Sequence, residues 1–400
     1  MRGNVLVVNC GSSSVKFAII RPECGTVMAQ GVAERLLSQN SNLKFFGDGA
    51  TKQTVPLGKE ANHHSAILAI VELVKQAQLD ETIIAVGHRV VHGGEAFAES
   101  VLIDEEVLEA IAAHQHLAPL HNPVNLQGIS AAKTAFPALP HIAVFDTAFH
   151  QSMPETAYLY ALPYELYSDH GVRRYGFHGS SHRYVTGEAA NMLGKAPQDS
   201  NFISAHLGNG CSLCAVVAGK SVDTSMGFTP LEGLTMGTRS GDLDPSLTPF
   251  LEDHLGYTGK QVNTLYNKDS GLLGLSGLSN DCRTLERAAA DGNTRAQLAL
   301  DIFCYRLAKY IASYMIAASP LDALILTGGI GENSVYMRAK LLLLLQPLGY
   351  QLDPDANENL GSGAAGHIHQ ENSPPVLVIP TNEEWVIAAD AARIATTQSH

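Results

Sequence analysis

Apolar and polar positions fall into blocks near the start of the chain. In VVNCGSSSVKFAII, residues 7–20, two apolar runs flank the small polar stretch Asn9-Cys10-Gly11-Ser12-Ser13-Ser14. That pattern predicts a β-hairpin whose turn exposes hydroxyls and leads into Lys16. Residues 202–217 repeat the arrangement around His206-Leu207-Gly208-Asn209-Gly210. Setting Asn9 on His206 superposes Gly11 on Gly208, Ala18 on Ala215 and Ile19-Ile20 on Val216-Val217, the mark of a duplicated unit. A second pair of stretches agrees. Residues 141–147 form an apolar strand closing on an acidic turn at Asp146, and residues 321–333 an apolar strand closing on the glycine-rich turn Gly328-Gly329-Ile330-Gly331-Glu332-Asn333. Two similar α/β domains facing each other across a cleft satisfy both repeats.

Helical spacing fills the intervals at residues 64–78, at 104–114, which open on acids suited to a helix N-terminus, and at 295–318. The last segment carries Asp301, Arg306 and Lys309, so it predicts a buried core helix and not a membrane span. Residues 353–375, rich in Gly, Asn and Pro, read as a loop before a strand at 376–379. Thr381 and Glu384 have capping-box spacing at the head of a helix through Ala395. This commits Glu384 to the backbone and leaves Glu383 for another task.

Composition narrows the function. A chain of 400 residues exceeds one compact core and predicts two domains. The formal net charge of −13 argues against a nucleic-acid surface, which needs a basic patch. It also makes each loop arginine informative, because an anionic ligand requires cations gathered locally. With 45% hydrophobic and 16% charged residues and no apolar stretch of bilayer length, the class is soluble and globular, without membrane contact. The opening residues have too short an apolar run for a signal peptide, so a cytoplasmic location is the default. The six cysteines lack a disulfide framework. Cys211 and Cys214 stand three apart in a strand-like run, on opposite faces, and read as buried thiols instead of a metal or redox pair.

The hairpin chemistry suits phosphate. Small residues expose backbone N–H groups and the Ser12 and Ser14 hydroxyls, while Lys16 adds a point charge for phosphate oxygens. It is not a P-loop, since the G-x-x-x-x-G-K-[ST] pattern is absent and the flanks read strand to strand. Taken alone, the hairpin reads equally as a solvated turn with a surface lysine. The glycine turns at 208–210 and 328–333 add two places where backbone can approach a nucleotide, and three such turns in matching halves imply a nucleotide cleft. Arg89, before Gly93-Gly94, and Arg239, in Met236-Gly237-Thr238-Arg239-Ser240-Gly241, sit among glycines where a planar guanidinium suits carboxylate or phosphate. A surface salt bridge is the commoner use of an arginine. His121 and His178 lie in turn-rich contexts without metal-ligand spacing and fit hydrogen bonding to a phosphoryl group.

Ten stretches in order carry a resemblance over nearly the whole chain: Asn9 with Gly11 to Lys16, GHRVVHGG, HNP, FDTAFHQSMP, RRYGFHGSSH, HLGNG, MGTRSGDLDP, SGLLGLSGLSNDCR, GGIGEN and TNEE. Together they resemble the acetate kinase family, part of a superfamily with sugar kinases, heat-shock chaperones and actin. The resemblance implies two duplicated actin-like, ribonuclease H-like domains, at 1–148 plus 382–400 and at 149–381, the second binding nucleotide. It further implies reversible ATP-dependent phosphorylation of acetate to acetyl phosphate, with ADP as the product nucleotide, Mg²⁺ or Mn²⁺ as cofactor, and a homodimer. By motif, Asn9 and Glu383 serve the metal and Lys16 the phosphates. His206 to Gly210, Asp281-Cys282-Arg283 and Gly329 to Asn333 surround the nucleotide. Arg89 binds the substrate carboxylate, and Val91, Leu120, Phe177 and Pro230 line the methyl pocket. Asp146, His178, Arg239 and His121 complete the active site. Rival readings are a propionate or butyrate kinase with a wider pocket, a sugar-type kinase, which leaves Arg89 unexplained, and a non-catalytic nucleotide switch, which leaves the arginine pair and His178 unexplained. Acetate is ionised at neutral pH and needs no general base, so Asp146 is expected mainly to orient an arginine or a metal-bound water. Thiol modification of Cys282, between Asp281 and Arg283, is expected to disturb nucleotide binding.

Overall fold

The computed structural model describes residues 3–47, 52–118 and 121–397. The chain forms two compact units: unit 1 runs to Gln151 and resumes at Asn382, and unit 2 is Ser152–Thr381. Unit 1 is built on β1 (Asn4–Gly11), β2 (Ser14–Arg21), β3 (Thr26–Glu34), β4 (Asn42–Gly47), β5 (Gln53–Pro56), β6 (Ile83–Val90), β7 (Val101–Leu102) and β8 (His141–Phe145). They form one eight-stranded sheet in the order β5-β4-β3-β2-β1-β6-β8-β7. The predicted hairpin is β1–β2, antiparallel, with Asn9 opposite Lys16 and Gly11 opposite Ser14. Side chains alternate across β1, and both faces are apolar because both are covered. Leu6, Val8 and Cys10 pack with residues of α1 (His63–Gln76), while α2 (Glu105–Ala113) and α3 (Asn122–Ala135) complete that side. Asn62 caps α1 through a capping box with Ser65, and Asp104 caps α2 by accepting from the Val107 amide, so both helices start within a residue or so of where their patterns begin.

Unit 2 repeats the plan with β9 (Asn201–Leu207), β10 (Cys211–Val217), β11 (Lys220–Thr224), β12 (Ala323–Thr327), β13 (Gly366–His367) and β14 (Val376–Val378), in the order β11-β10-β9-β12-β14-β13. Strand for strand, this matches β3-β2-β1-β6-β8-β7. In each sheet the hairpin strands are antiparallel, the two crossover strands run parallel to the first, and the edge strand is antiparallel. The duplication is therefore real, but its second pairing differs from the one read from sequence. The partner of β12 is β6, and the partner of β8 is β14. Both candidates were apolar strands ending in polar turns, and only the non-local sheet order tells them apart.

The helices of unit 2 are α4 (Glu155–Tyr158), α5 (Glu165–His170), α6 (Gly179–Met192), α7 (Leu247–Leu255), α8 (Gly259–Lys268), α9 (Gly271–Ser276), α10 (Cys282–Ala290), α11 (Thr294–Ala318), α12 (Gly328–Asn333), α13 (Val335–Leu344) and α14 (Pro354–Asn359). GGIGEN is thus a helical turn and not an open loop. The expected loop at 353–375 holds α14 and β13, because Asp353 caps the former and His367 pairs with Leu377. Helix α11 packs its inner face on the sheet but leaves Tyr305 and Ile316 exposed, so it is only half a core helix. Among the described residues no helix is long and apolar enough to cross a membrane.

The closing helix of each half is exchanged. Helix α6 follows β8 in sequence yet packs on β9 and β12 in unit 2, whereas α15 (Glu383–Thr397) follows β14 and packs on β1 and β6 in unit 1. Ile387, Ala388 and Ala391 of α15 bury against Val5, Val7, Ala18, Ile142 and Val144. Trp385 Nε1 donates to the Pro22 carbonyl at 2.8 Å, and Ser100 Oγ to Asp390 at 2.5 Å. The cap of α15 is Asn382, whose carboxamide oxygen accepts from the Trp385 amide at 3.1 Å. The predicted capping box shifts accordingly: Thr381 Oγ1 bonds Ser181 Oγ at 2.7 Å instead, and Glu384 is released from the backbone.

Candidate active site

In unit 1, Arg89 is carried near the end of β6 and Asp146 just beyond β8, adjacent parallel strands in which Arg89 pairs with Val144. Asp146 is 2% exposed and grips Arg89 side-on, with Nε donating to Oδ1 at 2.9 Å and Nη2 to Oδ2 at 2.6 Å. Arg89 Nη1 donates to Asn9 Oδ1 at 3.4 Å. The pair raises the already high affinity of the guanidinium for its proton. One edge of the guanidinium, Nε and Nη2, is thus committed to Asp146. The Nη1/Nη2 edge keeps a donor on each nitrogen, the geometry that binds a second carboxylate bidentately.

The hairpin supplies further unspent polar groups. Ser12 and Lys16 are exposed, and among the described residues the side chains of Ser12, Ser14 and Lys16 have no hydrogen-bond partner. The Gly11 carbonyl is held from behind by His63 Nε2 at 2.7 Å. Asn125 ties this hairpin to the end of β6: its Nδ2 donates to the Cys10 carbonyl at 3.1 Å and its Oδ1 accepts from the Val91 amide at 3.2 Å. Sequence reasoning missed Asn125, a polar residue in the apolar stripe of α3. Val91 is buried next to the end of β6. His121 stands at the N-terminus of α3, and Leu120 lies outside the described residues.

Glu383 opens α15 with its Oε1 buried and without a hydrogen-bond partner. Burial pushes its carboxyl up, and Asp146 adds to this, while the Arg89 and Lys16 cations oppose it. Glu384, likewise pushed up by burial, feels the same Lys16 charge. A buried carboxylate oxygen with an unspent lone pair asks for a cation. The described residues hold no group of three or more His, Cys, Asp or Glu fit for a metal. Mg²⁺ keeps most of its waters and takes one or two protein oxygens plus phosphates, so it would not need such a group. Glu383 and Asn9 fit that demand.

In unit 2, three segments converge on Gly210. His178 has left-handed backbone angles (φ 58°, ψ 25°) at the head of α6 and stacks on His206 with ring centroids 4.3 Å apart. Such strain costs a non-glycine residue about 1–2 kcal/mol and clusters at functional sites. Arg239 Nη1 donates to the Pro230 carbonyl at 3.2 Å, and the guanidinium has no carboxylate partner among the described residues. Burial pushes it down from the usual arginine range. A methyl group on Gly210 would lie 3.2 Å from Arg239 Nη1 and 3.6 Å from His178 Nε2. The cation and the imidazole therefore meet over Gly210, where a side chain would crowd the Arg239 tip. Asn209 locks the turn, since its carbonyl accepts from the Gly237 amide at 2.9 Å and its Oδ1 from Asn280 Nδ2 at 2.9 Å. Phe177 is buried, and Pro230 sits in the loop whose base is clamped by Arg174, with Nη2 on Glu232 at 2.6 Å.

The remaining predicted residues divide. Gly329 is exposed, with open space where a Cβ would stand, as close backbone approach requires. Gly331 lies under it and Asn333 Nδ2 closes back on the Gly329 carbonyl at 3.0 Å. Glu332 turns inward, its Oε1 accepting from the Gly328 amide at 2.8 Å and the Thr381 amide at 3.1 Å, so that oxygen is committed to the backbone. Ile330 is half-buried beside it, and Leu207 is in the core. Asp281 caps α10 and pairs with the exposed Arg283 at 2.9 Å. The Cys282 thiol is buried, donates to Glu286 at 3.2 Å, and is pushed far up by burial and that carboxylate. It is therefore shielded from modification, against the expectation.

Residues 4–389 match the acetokinase family. The chain belongs to that family. It is 55% identical to the acetate kinase of Shewanella amazonensis over 392 residues, covering 98% of each chain. Among solved structures, it matches Porphyromonas gingivalis acetate kinase with a TM-score of 0.93 at 43% identity, covering 98% of this chain and 99% of that one. It matches a propionate kinase from Francisella tularensis with a TM-score of 0.93 at 46% identity, covering 98% and 100%. The duplicated fold described above is thus shared with these two solved kinases over nearly its whole length.

Proposed function

We propose that this acetokinase-family chain catalyses the reversible phosphorylation of acetate by ATP, giving acetyl phosphate and ADP. The observation that carries the reading is the meeting of Arg239 and His178 over Gly210, a guanidinium without a carboxylate partner among the described residues beside an imidazole edge in a chain of net charge −13. Phosphoryl transfer asks for donors around the equatorial oxygens and little covalent work from the protein. A nucleotide switch needs neither.

Acetate docks on the free Nη1/Nη2 edge of Arg89, which Asp146 holds in place. Its oxygen is already an anion and attacks the γ-phosphorus without a base, as the bond from that phosphorus to the bridging oxygen of ADP breaks. Arg239 and His178 Nε2 donate to the transferring group, while Lys16, Ser12 and Ser14 receive the ATP phosphates. Gly208 to Gly210, Gly329 and the Asp281–Arg283 turn receive the rest of the nucleotide. Asn9 and Glu383 would hold Mg²⁺, which would supply positive charge to the phosphate oxygens.

Acetate is preferred over propionate, because Val91 is β-branched and narrows the methyl pocket. The resemblance to a propionate kinase keeps propionate as a poorer substrate. The chain works in the cytoplasm, as six free thiols suit a reducing compartment, and as a homodimer, to which the exposed Leu162, Tyr164, Phe250 and Leu255 of unit 2 contribute apolar surface. A hydroxamate trap for acyl phosphate, run with ATP, Mg²⁺ and acetate, propionate or glycerol, tests the reading. Acetate should give the strongest signal, lost on chelation and in Arg239→Ala. Product from glycerol phosphorylation, or none from any acid, would overturn it.

A further inference from the structure

Behind His178 lies an unbroken line of buried hydrogen bonds. His178 Nδ1 is 2.9 Å from Ser212 Oγ, Ser212 Oγ is 2.8 Å from His182 Nε2, and His182 Nδ1 is 2.6 Å from Ser204 Oγ. Ser204, His182 and Ser212 are each 0% exposed. They stand on β9, α6 and β10, so the line is fixed by the sheet and the helix that covers it.

The positions of the protons follow from the inner end. Among the described residues, the Ser204 hydroxyl has His182 as its sole side-chain partner, and a buried hydroxyl proton left unmatched is costly. That proton therefore goes to His182 Nδ1, which acts as acceptor. A second proton on His182 would bury a full charge with a serine hydroxyl on each nitrogen, so His182 carries one proton, on Nε2, and donates it to Ser212 Oγ. Ser212 has one proton of its own, and it is left for His178 Nδ1. His178 must then hold its proton on Nε2, the nitrogen aimed at the space over Gly210 that Arg239 also faces.

We infer that Ser204, His182 and Ser212 are positioning residues that fix His178 as the neutral Nε2–H donor to the transferring phosphoryl group. This rests on the proposed role of His178. The line also resists protonation of His178, because a proton arriving on Nδ1 would meet the Ser212 hydroxyl proton. His206 is stacked on the ring, and Arg239 lies across Gly210. An opposite polarity, with Nδ1–H donating to Ser212, would instead favour the imidazolium.

The sign of a pH shift separates the two. In Ser212→Ala, we expect kcat to fall about tenfold with KM for acetate and ATP within about twofold, a loss near 1.4 kcal/mol of transition-state stabilisation. The acid limb of the kcat profile should move to higher pH. Ser204→Ala, which frees His182 to shift its proton, should move the limb the same way by less, and serves if Ser212→Ala does not fold. ¹⁵N NMR of imidazole-labelled full-length enzyme should place an acceptor-type Nδ1 and a protonated Nε2 on His178. A limb that moves to lower pH or stays put, or a protonated Nδ1 in the neutral ring, overturns the inference. Wild-type rates in His178→Ala would instead overturn the role of His178 itself.

Discussion

Asp146 holds Arg89 through two nearly parallel hydrogen bonds, 2.9 Å from Oδ1 to Nε and 2.6 Å from Oδ2 to Nη2. An acid so engaged has both oxygens facing a permanent cation, which is the arrangement of an orienting group and a poor one for a proton acceptor. Asp146→Asn keeps the shape but loses one acceptor and the charge. It should cut kcat/KM for acetate by about 10²-fold or more, on the scale of other misplaced catalytic groups, while the pH profile keeps the same limbs. Residual turnover that lacks one ionisation, with acetate and metal affinity intact, would restore a proton-transfer role.

Val91 is fixed by its amide hydrogen bond to Asn125 at the end of β6, so shortening its side chain should enlarge the pocket without moving the strand. A methylene is worth about 1–3 kcal/mol in such a pocket. In Val91→Ala the acetate-to-propionate ratio of kcat/KM should fall by about tenfold, mostly through better use of propionate. An unchanged ratio would remove Val91 from the pocket.

Gly210 separates the Arg239 guanidinium from the His178 ring. In Gly210→Ala the new methyl must displace Nη1 by a few tenths of an ångström from its 3.2 Å position. Turnover should fall about three- to tenfold while the melting temperature changes little, because only a side-chain tip moves. Equal rates for the two proteins would mean that the phosphoryl group does not pass over this residue.

His88 and His141 form a buried stacked pair, Nε2 to Nδ1 at 3.0 Å, in the unit 1 sheet. Burial holds His88 well below and His141 below the ordinary value of 6.5, and Lys133 adds to both. Both therefore resist protonation when folded. Unfolding lets them bind protons below pH 6.5, so their contribution is complete above that pH and is lost progressively as pH falls. The loss is at most about 1.4 kcal/mol per pH unit for each histidine. Between pH 7.5 and 5.5 the melting temperature of the wild type should drop several degrees further than that of His88→Leu/His141→Leu, at roughly 2–4 °C per kcal/mol. Parallel curves would show that the pair does not titrate on unfolding.

The sequence carried the hairpins, the duplication and the cation scarcity because each is a local pattern: period-two strands, small turns, a charge count. Asn9, Arg89 and Asp146 fall together, and so do His178, Arg239 and Gly210. What failed was non-local. The mate of β12 could not be told from spacing, since sheet order is set by crossovers. The cap of α15 slipped by one residue because Thr381 and Asn382 are both good caps, and Ser181 claims the threonine. Ser204 and Ser212 look like small residues diluting two apolar strands. A polar side chain recurring on the buried face of adjacent strands was the available signal, and it means something only once α6 lays His182 between them.

The exchanged helix sets an order of events during synthesis. The floor of the first sheet, under Val5, Val7 and Ile142, is completed by Ile387, Ala388 and Ala391, which the ribosome adds only after every residue of unit 2. Translation proceeds at about 5–20 residues per second. The nascent amino-terminal strands must therefore wait tens of seconds with one greasy side bare. Unit 2 already has its own α6 by the time its last strand emerges, so the half made second is the half that can finish first.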